Sequence, residues 1–267
     1  MHSRLTAALP LLIASVAPAL ASSTPWMESD GGSVRIVSSG LSGENGGLRG
    51  AVEIKLKPGW KTYWRAPGEA GVPPEIELAP TSDARAAELF FPAPERISDA
   101  YASWAGYKHP VTLPVIFHFP QPGMAGIVEG IVFLGICETI CIPVEFPFSF
   151  DAGADPDNSA DAITVESAFA ALPGEARSDF GVSGASREGS EITFQVTLPP
   201  DAQDPALFVV PPAHVQITTP ELQGRDGSSA IFTAEALGDP AAVEASMRIE
   251  YTLVAGGKAV AGQIALP

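Results

Sequence analysis

The sequence predicts an all-β protein, mostly antiparallel, folded as β-sandwiches in two successive halves. Three observations lead there. Glycine and proline each occur 26 times among 267 residues, a density of chain breakers that suits short strands joined by turns better than long helices. Apolar residues alternate with polar ones in one short segment after another, about one every 10 to 15 residues, which is the rhythm of a sandwich. A single stretch, 165–172, reads as a helix, and Pro173-Gly174 stops it.

Taken in order, the chain opens with His2 and Arg4, an apolar run over 5–18, and Ala19-Leu20-Ala21, a small-x-small site of the kind signal peptidase cuts after. Residues 1–21 are expected to be a secretory signal. The run is too short to span a bilayer and no later segment reaches about 18 apolar residues, so the mature chain is expected not to insert into a membrane. About 246 residues follow, enough for one large domain or two of ordinary size.

Strands are expected at 34–37 and 48–56. In the second, Leu48, Val52, Ile54 and Leu56 share one parity and Arg49, Glu53 and Lys55 the other, the mark of a half-buried strand. Pro58-Gly59 breaks it. The aromatic run Trp60-Lys61-Thr62-Tyr63-Trp64 follows, expected to pack in the core with its Trp N–H and Tyr O–H groups at the rim rather than to form a ligand platform. Short strands are expected at 76–78 and 89–91. Residues 92–110 show no periodicity and carry Tyr101, Trp104, Tyr107 and three prolines. They read as a long irregular loop, functional rather than disordered given the aromatics. Strands over 111–119, 127–136 and 144–150 come next, and Pro143 and Pro147 place the last at a sheet edge or beside a bulge. The stretch 151–161 has linker composition. Further strands are expected at 192–198, 207–210, 215–218, 230–236, 247–254 and 260–266. The organisation is then a signal over 1–21, a first domain over 22–152, a linker with a short helix over 153–175 and a second β-sandwich domain over 176–267.

Acidic side chains number 31 against 15 basic ones, for a net charge of −16. Such a surface repels phosphate backbones and argues against nucleic acid as a partner. The four histidines lack metal-ligand spacing, and there is no glycine-rich phosphate loop, nucleophile elbow or carboxylate pair in a recognisable context. Hydrolase and nucleotide chemistry therefore have no support, and no cofactor is expected.

The chain has two cysteines, in Cys137-Glu138-Thr139-Ile140-Cys141, at the join of a hairpin where a Cα–Cα separation of about 5–6 Å is within reach. In an exported chain they suggest one disulfide. As a staple it is poor, since closing so short a loop contributes only about 2 kcal/mol. The pattern alone leaves three roles open. A redox-active disulfide needs an accessible sulfur and a tolerable leaving thiolate. An inert clip needs neither. A soft-metal site would join the thiolates to His109, His118 or Met124 around Cu(I). The spacing is not the Cys-x-x-Cys of thioredoxins and no helix follows it. Glu138 would raise a thiolate pKa by like charge, with Lys108 or His109 as the offset.

Gly59-Trp60-Lys61-Thr62-Tyr63-Trp64-Arg65 with Pro67-Gly68, Leu113-Pro114-Val115 and Cys141-Ile142-Pro143 resemble the N-terminal domain of the DsbD family of thiol:disulfide interchange proteins, including its larger ScsB version. The likeness covers about residues 30 to 150, and the second half only in its β-rich character. It implies two immunoglobulin-like sandwiches and a Cys137–Cys141 pair that shuttles electrons between a membrane-embedded donor and thioredoxin-like periplasmic partners, in cytochrome c maturation, disulfide reduction or copper tolerance. It also implies a cap loop over the pair, for which Tyr101, Trp104 and Tyr107 are the candidates, and a periplasmic location. By similarity Cys141 is expected to meet the partner and Cys137 to resolve. The chain shows neither a transmembrane bundle nor a thioredoxin module, so the resemblance implies that separate proteins supply both or that the relay has been lost. A non-catalytic module that binds copper or a partner is the alternative.

Overall fold

The computed structural model describes residues 22–68, 71–98, 103–139, 141–212, 215–238 and 248–266; the expected signal at 1–21 lies outside them. The first half contains β1 (Met27–Glu28), β2 (Gly32–Ser38), β3 (Gly47–Leu56), β4 (Lys61–Tyr63), β5 (Glu75–Leu78), β6 (Ala86–Leu89), β7 (Glu95–Ser98), β8 (Ser103–Tyr107), β9 (Val111–His118), β10 (Ile127–Cys137) and β11 (Cys141–Asp151). Helix α1 (Ser159–Ala170) follows. The second half contains β12 (Gly174–Glu175), β13 (Gly181–Glu188), β14 (Glu191–Thr197), β15 (Ala206–Val210), β16 (Gln216–Ile217), β17 (Glu221–Asp226), β18 (Ser229–Leu237), β19 (Arg248–Ala255) and β20 (Lys258–Ala265). The fold is all-β and immunoglobulin-like.

Each half is a pair of sheets. In the first, β1-β2-β3-β9-β6 faces β11-β10-β4-β8-β7, with β5 beside β10. In the second, β12-β20-β19-β15 faces β13-β14-β18-β16, with β17 beside β18. The pairs are antiparallel save β12 with β20. Alternating residues meet between the sheets: Leu48, Val52, Ile54, Val115, Phe117, Leu134, Phe148 and Phe150 in the first core, Phe194, Phe232, Ile249 and Leu253 in the second. Each such side chain contributes about 1.5–3 kcal/mol by leaving water.

β2 contains the strand expected at 34–37 and is buried on both faces. Val34 and Ile36 enter the core, while Val37 and Ala51 of β3 are covered by Val165 and Ala168 of α1. The helix itself begins six residues before the expected 165. Asn158 caps it, its side chain accepting from the backbone N–H groups of Ala160 and Asp161. The cap stands inside a stretch whose composition reads as linker, which is why the start was not evident.

The expected loop at 92–110 is instead a hairpin. β7 and β8 pair from Glu95↔Gly106 to Ser98↔Ser103. Their four and five residues are too few to display a period, and β8 is buried at four of its five positions, so neither strand shows alternation. β11 is the opposite edge strand, where Pro143 and Pro147 lack an N–H that the sheet would miss. In the second half β13 and β17 also escape a sequence reading: β17 is exposed at every position and so carries no apolar signal.

The two sandwiches touch. Phe208 of β15 is buried with the first core and lies edge-on to Trp64, ring centroids 5.9 Å apart. Arg65 Nη1 lies 2.6 Å from Glu250 Oε2 on β19. No helix among the described residues is long and apolar enough to cross a membrane.

Candidate functional site

β10 sends Val128, Val132, Leu134 and Ile136 into the core. Strand geometry then turns the intervening Gly135 and Cys137 to the outer face of the sheet. Residues directly opposite each other share a face. Cys137 is opposite both Cys141 on β11 and Lys61 on β4, Tyr63 stands two residues beyond Lys61, and its partner Gly106 stands two beyond Trp104. Register alone therefore gathers Cys137, Cys141, Lys61, Tyr63 and Trp104 on one outer face, at the end of the sandwich marked by the β10–β11 tip. There Tyr63, Ile97, Trp104 and Cys137 form a small apolar cluster with Val72 against it, separate from the main core.

Cys137 and Cys141 form a disulfide with a Cα–Cα separation of 4.1 Å, shorter than the sequence reading anticipated because they are direct cross-strand partners. The two sulfurs are not equivalent. Cys137 is 1 % exposed and walled in by the cluster, while Cys141 is exposed on the edge strand. Ile142 beside it is 41 % exposed.

The Tyr63 hydroxyl lies 2.7 Å from Cys141 Sγ and 3.1 Å from Cys137 Sγ. Sulfurs joined in a disulfide carry no hydrogen, so the hydroxyl donates to them. Two glycines make the slot for its ring. A Cβ on Gly135 would stand 2.7 Å from Tyr63 Cδ2, and one on Gly71 would stand 2.9 Å from Cδ1. Any larger residue at Gly135 has to push the ring off the sulfurs. The Trp104 ring sits edge-on to Tyr63 at 6.5 Å, and Lys61 Nζ lies 4.4 Å from the Trp104 ring centre. A cation and a hydroxyl donor next to the pair both favour a thiolate over a thiol.

Of the candidate cap residues, Trp104 is in this cluster and 8 % exposed. Tyr107 is on the other face of β8, in the main core, donating from its hydroxyl to Pro92 O at 2.8 Å. Burial drives its pKa well above 10.0, with the Arg65 charge opposing weakly. Tyr101 lies outside the described residues. Glu138, Lys108 and His109 are exposed. His118 and Met124, proposed for a copper site, stand at the far end of the sandwich: His118 pairs with Gly47, and Ser42 bonds the Met124 carbonyl. Ten residues of β10 separate that end from Cys137, about 30 Å at strand rise. Among the described residues no cluster of three or more His, Cys, Asp or Glu side chains is set to hold a metal.

Tyr63 and Lys61 were not singled out from sequence as neighbours of the sulfurs. Their signal is the parity of Lys61-Thr62-Tyr63: Thr62 shares the core side with its cross-strand partners Ile136 and Tyr107, its hydroxyl donating to Gly135 O, so the flanking two must share the opposite face.

Residues 37–151 match the family model described as thiol:disulfide interchange protein DsbD, N-terminal. Among solved structures, the N-terminal periplasmic domain of ScsB from Proteus mirabilis is 21 % identical, covers 91 % of this chain and 97 % of its own, and superposes with a TM-score of 0.76. The likeness in fold thus extends over both sandwiches, beyond the matched segment. The DsbD N-terminal domain of Neisseria meningitidis, in its reduced form, is 14 % identical over 43 % of this chain and 83 % of its own, with a TM-score of 0.27. No curated protein matches the chain.

Proposed function

We propose that this chain is an exported thiol–disulfide exchange protein of the periplasm, passing electrons through Cys137 and Cys141 between a membrane-embedded donor and thioredoxin-like partners. The observation that carries the reading is the asymmetry of the pair: one sulfur exposed at a sheet edge, the other buried, and one tyrosine hydroxyl bonded to both. An inert clip needs no such arrangement. The matched segment's family and the ScsB-like fold support the same chemistry.

Cys141 is the sulfur an incoming thiolate reaches. Its attack forms a mixed disulfide at Cys141 and expels Cys137 as the thiolate, which leaves beside the Tyr63 hydroxyl and takes up a proton. The partner's second thiol then attacks its own bonded sulfur and releases Cys141. Two electrons and two protons have moved from the partner dithiol to the chain. In the reverse direction the Cys141 thiolate attacks the partner's disulfide, and Cys137 resolves the mixed species by attacking Cys141 Sγ. The exposed apolar Ile142 supplies a contact for a partner seated over Cys141. Trp104, by covering Cys137, takes the role of cap.

Single-cysteine variants mixed with a thioredoxin-like dithiol protein test the assignment. Cys137→Ala is expected to accumulate a mixed disulfide at Cys141, and Cys141→Ala to trap nothing and lose all exchange. Equal trapping by both variants overturns the assignment of roles, and no trapping by either overturns the relay.

A further inference from the structure

The β7–β8 hairpin is gripped from two sides. On its outer face Ile97 and Trp104, cross-strand partners, close over Tyr63 and Cys137. Its other face carries Arg96 and Ala105, also cross-strand partners, and this face meets the second sandwich. Arg96 Nη1 donates to Pro220 O at 2.9 Å, and Nη2 to Leu207 O at 3.0 Å. Its guanidinium lies 5.4 Å from the Phe208 ring centre. Phe208 in turn rests on Trp64, one residue after Tyr63. Burial lowers the Arg96 pKa from its ordinary value, with the Glu221 charge opposing. A guanidinium stays charged in proteins, so its bonds to two carbonyls are charge-assisted and hold their geometry firmly. Beside this contact runs a cavity of about 300 Å³ lined by Arg65, Pro67, Arg96, Trp104, Phe208 and Val215. The hairpin therefore has room to shift toward the cavity once its hold on the second sandwich is lost.

We propose that the second sandwich governs the cysteine pair: Arg96, bonded to the carbonyls of Leu207 and Pro220, positions the β7–β8 hairpin so that Trp104 keeps Cys137 shut away while Cys141 stays open. This rests on the reading of the pair as exchanging, and it gives the second domain a task in that exchange. Arg96 is a positioning residue; it touches neither sulfur. With the clamp intact, only Cys141 meets an incoming thiol, and the route of exchange is single. With the clamp released, Cys137 opens as well, and the pair loses its order of attack.

The test uses the full mature chain, reduced with a phosphine, and follows each cysteine's alkylation by iodoacetamide through peptide mass spectrometry. Each event forms one C–S bond and releases iodide, and no partner protein is needed. In the wild-type chain Cys141 is expected to react far ahead of Cys137. Arg96→Met keeps an apolar stem on Phe208 and removes both carbonyl bonds; it should raise the Cys137 rate about tenfold, as a lowered local opening free energy does, while changing the Cys141 rate less than about twofold. Arg96→Lys, retaining charge, should fall between. Phe208→Leu loosens the same contact from the other domain and should reproduce the effect should Arg96→Met not fold. The matched control is Arg225→Met, because Arg225 also donates to carbonyls, those of Ala202 and Gly227, wholly within the second sandwich. An unchanged Cys137 rate in Arg96→Met and Phe208→Leu overturns the proposal, and so does an equal rise in Arg225→Met, which would mean general loosening. Failure of the relay itself shows separately, as absence of mixed disulfides with thioredoxin-like proteins.

Discussion

Each sandwich contains a long β-hairpin, and the two are closed in opposite ways. In the second, β19 and β20 pair down to Ala255↔Lys258 and turn on Gly256-Gly257, whose φ angles are +57° and +73°. That is the left-handed conformation a two-residue hairpin turn demands and glycine supplies cheaply. In the first, β10 and β11 pair down to Cys137↔Cys141, and a disulfide crosses the end of the hairpin. The first hairpin has eleven cross-strand positions in register and a core face of phenylalanines, so it does not need the bond to stay closed. The comparison teaches that the disulfide stands where the fold has least use for it.

The largest effect that would sharpen this contrast is on stability. Gly256→Ala with Gly257→Ala forces two left-handed alanines, at about 1–2 kcal/mol each, and the denaturant midpoint should fall accordingly. Cys137→Ala with Cys141→Ala removes a loop closure worth about 2 kcal/mol at most, and the midpoint should move less than in the glycine variant. A larger loss on removing the cysteines would make the bond a staple and break the comparison.

A smaller effect, on rate rather than stability, is expected from Tyr63→Phe. The variant keeps the ring in its slot between Gly71 and Gly135 and removes the only hydroxyl near the sulfurs that the described contacts show. Reduction of the pair by dithiothreitol should slow about tenfold, or 1.4 kcal/mol in the barrier, because the leaving Cys137 thiolate loses its donor. The thermal midpoint should barely move. Gly135→Ala, which has to displace the same ring, should slow the reaction in the same direction and also lower stability by about 1–3 kcal/mol.

How far sequence carries the reader differs along these two hairpins for a physical reason. The runs around Leu113, Phe146 and Ile249 were legible because each has one buried face, and burial on one face writes a period of two. The prolines at 143 and 147 placed β11 at an edge because a missing N–H is most easily accommodated on a strand with one unpaired side. β2, buried on both faces, was legible only in its middle, at 34–37, and β17, buried on neither, left no period to read. The cysteines were visible as residue types, but the group around them was not. Tyr63 and Lys61 come from β4 and Trp104 from β8, two segments brought to β10 by strand register, and β4 and the β7–β8 hairpin are too short to announce themselves. The inequality of the two sulfurs is likewise a product of packing, since Cys137 is buried by Ile97 and Trp104, 40 and 33 residues away in sequence.

The two tyrosines on the β4–β8 pair permit the finest test. Tyr63 faces the sulfurs and Tyr107 the core, so their hydroxyls should fail in different assays. Tyr107 is neutral in the folded chain, and burial holds its pKa above the 10.0 of an exposed tyrosine. Below pH about 10 the folded and unfolded chains carry the same proton and this group gives stability no pH dependence. As pH rises through that value the unfolded chain ionises Tyr107 and the folded chain does not. Its contribution is therefore lost progressively between the unfolded and the folded pKa, with a slope of at most one proton, about 1.4 kcal/mol per pH unit. Tyr107→Phe should flatten this alkaline limb in urea titrations at pH 9 to 11. At neutral pH it should cost about 1 kcal/mol for the bond to Pro92 O, with the dithiothreitol rate unchanged. A Tyr107→Phe chain that also exchanges tenfold more slowly would mean that the core face of β8 reaches the sulfurs, and the division of labour between the two faces of this strand pair would fall.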